Sequence, residues 1–144
     1  MVVAMVKLVP AIYLGLLFCV GAYVLWRGQK PERAGLAVIL VGSVLSEITA
    51  HYDSLWQTGE TGIFLVDLAV LFAFMLVLAR SDRFWPLWIT AFQIVAVVTH
   101  LVRFVRPQTV PLAYAVAEQF WVYPMLALLT ISTVRLHRMR AASR

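Results

Sequence analysis

Five long apolar runs occupy most of this 144-residue chain: Leu8–Trp26, Ala34–Tyr52, Gly62–Ala79, Phe84–Arg103 and Pro111–Val134. Each comes close to the ~20 mostly apolar residues that cross a bilayer as one helix. Only short polar stretches separate them, at Arg27–Arg33, Asp53–Thr61, Arg80–Arg83 and Phe104–Val110. Short connections force consecutive helices to run antiparallel. The runs therefore predict an all-α integral membrane protein: an up-and-down bundle of five transmembrane helices forming one domain over residues 1–144. Composition agrees, with 62% hydrophobic and 13% charged residues, against about 45–50% and about 25% in soluble domains. This excludes an ordinary soluble enzyme, a disordered tail and a disulfide scaffold.

The net charge of +5 does not indicate nucleic acid, because the basic residues stand at the ends of apolar runs rather than in an aromatic-interleaved patch. Nine of the twelve Lys and Arg fall on one side of the predicted bundle if the N-terminus is outside. That bias places the C-terminus in the cytoplasm. Trp26, Trp85 and Trp88 are expected as interfacial anchors on the inner side and Trp56 on the outer side. Cys19 is the single cysteine, so no internal disulfide forms. The first run lacks a small-residue cleavage site and is expected to remain as a span.

Polar residues within apolar runs carry the functional argument, since a charge near the bilayer centre costs at least about 2.5–3.5 kcal/mol. Ser43, Glu47 and His51 recur at i, i+4 and i+8, one face of the second helix. At 1.5 Å per residue, His51 lies about 7 Å below the outer surface, Glu47 about 13 Å and Asp67 about 9 Å. His100 lies about 6 Å and Glu118 about 11 Å below it. Glu47, His51, Asp67, His100 and Glu118 thus form an expected outer-leaflet cluster, with no comparable group expected in the inner half.

Four readings of the cluster stand side by side. As structural glue, Glu47 pairs with His51 and Asp67 with His100, tying helices that lack a hydrophobic drive to associate. As a metal site it would use His and carboxylate from facing helices, although the usual Glu-x-x-His bundle spacing is missing. A proton relay would pass protons between carboxylate and imidazole, and haem b would sit between His51 and His100. No catalytic residue is assigned, because no loop is large enough for a soluble active site. Pro124 is expected to kink the fifth helix by removing a bond to the Phe120 carbonyl. Gly42, Ser46, Ala50 and Ser54 form a small-residue stripe that lets another helix approach.

The run Arg83-Phe84-Trp85-Pro86-Leu87-Trp88, with Asp67, His100-Leu101, Pro111, Ala113-Tyr114, Trp121 and Tyr123-Pro124, resembles a small uncharacterised bacterial inner-membrane protein family with an RFWPLW motif. The likeness covers most of the last three helices and leaves Glu47 and His51 outside the pattern. It implies bacterial origin and inner-membrane location, and nothing about activity. Together these features lead to the expectation of a non-catalytic accessory or assembly subunit. Its partners would be the lipid bilayer and other membrane subunits or a second copy. The alternative is a metal- or haem-binding, or proton-relaying, membrane protein.

Overall fold

A computed structural model describes residues 2–56, 59–105 and 120–143, with side chains described over 11–50, 61–101 and 120–143. The described residues are helical, without strands: α1 (Val2–Arg27), α2 (Lys30–Trp56), α3 (Gly59–Ala79), α4 (Trp85–Val105) and α5 (Val122–Ala142). Neighbours pack in a closed circuit, α1 on α2, α2 on α3, α3 on α4, α4 on α5 and α5 on α1. A further contact joins α2 to α5 across the middle. Two segments, Lys30–Ala50 and Thr61–Ala79, are long and apolar enough to cross a membrane; Ala11–Arg27 and Trp85–Leu101 are apolar but shorter.

Each helix buries one stripe at helical spacing. On α1 it is Leu17, Gly21 and Val24; on α2 Glu32, Gly35, Leu36, Ile39 and Gly42. On α4 it is Trp85, Ile89, Gln93, Ala96 and His100, and on α5 Met125, Leu126, Leu129, Thr133 and Leu136. Phe74 of α3 is fully buried, with Val70 and Val77 flanking it one turn away on either side. Buried Thr90 and Thr133 satisfy their hydroxyls on the carbonyls of Pro86 and Leu129 in their own helices.

Glycine permits two of the closest helix approaches. A Cβ on Gly35 would lie 2.6 Å from Trp85 Cη2, and one on Gly42 would lie 2.7 Å from Val70 Cγ2. The small-residue stripe of α2 is thus used inside the bundle at Gly42, against α3.

Two local features differ from the sequence expectation. The first connection is shorter than Arg27–Arg33, because α2 begins at Lys30. Pro31 occupies its first turn, where a missing N–H costs nothing. Glu32 Oε2 accepts from the Gln29 backbone N–H at 3.2 Å, the reach-back half of a capping box that starts the helix. Near Pro124, by contrast, the backbone follows the expectation: Phe120 is helical and Trp121 keeps helical dihedrals (φ −66°, ψ −24°), while the regular helix assignment breaks one turn before the proline, which has no N–H to donate to the Phe120 carbonyl. Trp85 is not an interfacial anchor: it is 7% exposed and lies over Gly35. Trp26 and Trp88 are exposed, as anchors would be, and the Trp56 side chain lies outside the described residues.

Candidate functional site

The structure gathers buried polar side chains at two heights. At the first, α3 contributes Asp67 and α4 contributes Gln93 and His100, spaced i and i+7 on the buried stripe of α4. His100 Nε2 and Asp67 Oδ2 are 2.7 Å apart, with side-chain exposures of 8% and 20%. Gln93 Nε2 donates to Asp67 Oδ1 at 3.1 Å and to the Asp67 carbonyl at 3.2 Å. Both carboxylate oxygens are therefore engaged from the neighbouring helix. Equal depth on consecutive helices predicts this apposition of Asp67 and His100; Gln93, 4% exposed, joins it from outside the expected cluster.

Glu47 does not join them. It lies on the exposed face of α2, among exposed Val44, Leu45 and Ile48. The reason is helical drift: each i+4 step turns about 40° around the axis. Ile39 is buried, Ser43 is half-buried and hydrogen-bonded to the Tyr13 hydroxyl of α1, and Glu47 has rotated out. The side chain of His51, and Glu118 altogether, lie outside the described residues. Among the described residues no three His, Cys, Asp or Glu side chains gather as a metal site would require.

The second site corrects the expectation that the opposite half holds no buried carboxylate. Glu32 is completely buried. Its Oε1 accepts from Trp85 Nε1 at 3.1 Å and from Ser132 Oγ at 3.2 Å, while Oε2 caps α2 at Gln29. One side chain thus ties the start of α2 to the start of α4 and the middle of α5. Next to it, Arg83 Nη2 donates to Gln29 Oε1 at 2.8 Å, and Arg33 Nη2 donates to the Leu25 carbonyl at 2.8 Å. The two turns at this end are therefore stitched together by side chains.

Reading the charged stretch Arg27–Arg33 as an exposed loop concealed Glu32. Two signals could have found it: Glu three residues after the cap position Gln29 with proline before it, and its place on the stripe that continues through Leu36 and Ile39. Nothing in local sequence announces Ser132, a hundred residues away, as its partner.

Chemically, the two sites differ. The Asp67–His100 pair holds a proton between two titratable groups, whereas Glu32 meets uncharged donors and acts as a fixed acceptor. No known protein family, curated protein or solved structure matches the chain.

Proposed function

We propose that the chain is a five-span integral protein of the bacterial inner membrane, N-terminus outside and C-terminus cytoplasmic. In this reading it serves as a non-catalytic accessory or assembly subunit of a larger membrane complex. Inverted polarity supports the membrane setting. Phe18 (78% exposed), Phe72 (63%) and Phe84 (70%) stand on the outside, while Glu32, Gln93 and His100 are buried. Such an apolar exterior suits hydrocarbon and would drive a water-soluble chain to aggregate. At 1.5 Å per residue, helices of 21–27 residues measure about 31–40 Å, enough for a ~30 Å core.

The observation that carries the subunit role is Glu47. Its carboxylate stands on an exposed apolar face about 13 Å from the Trp56 end of α2. Carboxylates at such depth face protein or water rather than lipid tails. A donor-bearing helix of another subunit, or of a second copy, would satisfy it. A photo-crosslinking residue at position 48 tests this in native membranes. A discrete adduct that disappears in Glu47→Leu is expected. An adduct unaffected by Glu47→Leu, or no adduct, would remove the role.

A second reading, a proton relay, draws on the 2.7 Å Asp67–His100 contact. A metal or haem site using His51 and His100 would exploit the same pair, with the carboxylate orienting the imidazole. Metal content and the absorption spectrum of gently purified protein test that alternative.

A further inference from the structure

At the end of the bundle that holds Glu32, an open cleft of about 500 Å³ lies between the α1–α2 turn and the end of α5. Gly28, Gln29, Lys30, Pro31, Arg33 and Arg140 line it. Three cations from two helices converge there. The acidic residue nearest to them in sequence, Glu32, is turned inward to Trp85 and Ser132. Among the described residues no carboxylate forms an ion pair with Lys30, Arg33 or Arg140. Arg33 is held in place by its bond to the Leu25 carbonyl, so part of its side-chain entropy is already spent.

We propose that this cleft seats the phosphate of an anionic phospholipid headgroup from the leaflet it faces. The site takes a phosphodiester carrying net negative charge, with Lys30, Arg33 and Arg140 as its cationic ligands. Phosphate chemistry alone would also fit a free anion. The flanks select the lipid: Leu25 (57% exposed) and Trp26 (72%) lead into the turn, and the Arg27 guanidinium stacks 4.1 Å over the Trp26 ring. Phe84, 70% exposed, follows Arg83, which is bonded to the cleft residue Gln29. Basic groups beside exposed aromatic and aliphatic side chains fit a headgroup with its acyl chains alongside. The inference rests on the membrane reading, and its test separates the two.

The full chain, delipidated in a non-ionic detergent, is melted against increasing dioleoylphosphatidylglycerol, dioleoylphosphatidylcholine or inorganic phosphate. Phosphatidylglycerol is expected to raise the melting temperature saturably, and the other two to leave it unchanged. With about one kcal/mol per basic group, Lys30→Gln with Arg140→Gln should weaken the apparent affinity roughly 30-fold. Adding Arg33→Gln should bring the loss to roughly 150-fold. The double variant leaves the Arg33–Leu25 bond intact, so it remains informative if the triple variant misfolds. A control removing equal charge outside the cleft, Arg80→Gln with Arg135→Gln and Arg138→Gln, should bind like the parent. Equal response to inorganic phosphate or phosphatidylcholine, equal loss in the control, or undiminished binding by the double variant would each overturn the proposal. Alkaline carbonate washing of the source membranes distinguishes the two failures. Protein retained in the pellet yet indifferent to phosphatidylglycerol overturns the lipid site alone, and protein released to the supernatant overturns the membrane reading with it.

Discussion

Glu32 and Asp67 are both carboxylates packed between helices, yet one is completely buried among uncharged donors and the other keeps a fifth of its side chain exposed beside a histidine. Glu32 sits where the α1–α2 turn meets the starts of α2 and α4. Asp67 lies about 18 Å from the Ala79 end of α3, toward the other end of the bundle. The first is stabilised by three hydrogen bonds and by the positive end of the α2 dipole. The second is stabilised by a donor pair, Gln93 and His100, from a single neighbouring helix. The difference predicts unequal consequences of losing each group. Glu32 joins three helices, so removing it orphans several donors at once. Asp67 joins two, so removing it orphans fewer donors.

The largest effect should come from Glu32→Leu. A buried donor left without its acceptor costs about 1–3 kcal/mol, and Trp85 Nε1, Ser132 Oγ and the Gln29 N–H all lose theirs. Thermal or denaturant unfolding in detergent should show a loss of about 3–5 kcal/mol. Stability equal to the parent would mean that Glu32 ties nothing together. Gly35→Ala probes the same corner without touching a polar group. Its new Cβ would meet the Trp85 ring at 2.6 Å, and overpacking of a rigid buried ring costs about 1–3 kcal/mol. Full stability in that variant would show that Trp85 can withdraw from α2 and that the comparison overstates the rigidity of this end.

Asp67 sharpens the comparison from the other side. Interhelical hydrogen bonds in bilayers contribute about 0.6–2 kcal/mol, so Asp67→Leu should cost in that range and Asp67→Asn less, since the amide keeps an acceptor for Gln93. Equal stability of the parent, Asn and Leu forms would remove the structural role. It would leave the proton-holding pair as the reason for these residues.

The sequence was legible wherever an apolar period ran uninterrupted. The first four helices fall close to the runs that predicted them, and their ends move outward where charged residues still belong to the first or last turn, as Lys30 and Glu32 do on α2, whereas α5 continues eight residues past the predicted end at Val134, to Ala142. Height along a helix was also legible, which is why Asp67 and His100 meet. Azimuth was not. Ser43 and Glu47 share a face when counted by fours, but the helical drift puts one at Tyr13 and the other on the exterior. Trp85 and Trp88 read alike as interfacial aromatics within one motif, and only the gap left by Gly35, fifty residues earlier, draws one of them inside. Partnerships such as Glu32 with Ser132 exist only once the circuit of helices has closed.

All of these comparisons presuppose that the apolar exterior faces lipid and that the Glu32 end faces the cytoplasm. The most direct test combines Cys19→Ala with a single new cysteine at Asp82, in the exposed α3–α4 turn, or at Ala142, at the end of α5. Each is treated with a membrane-impermeant maleimide in intact spheroplasts and in inverted membrane vesicles. Both positions should be protected in spheroplasts and labelled in vesicles, with all of the protein in the membrane pellet. Labelling of either position in spheroplasts, or recovery of the protein in the soluble fraction, would contradict the account.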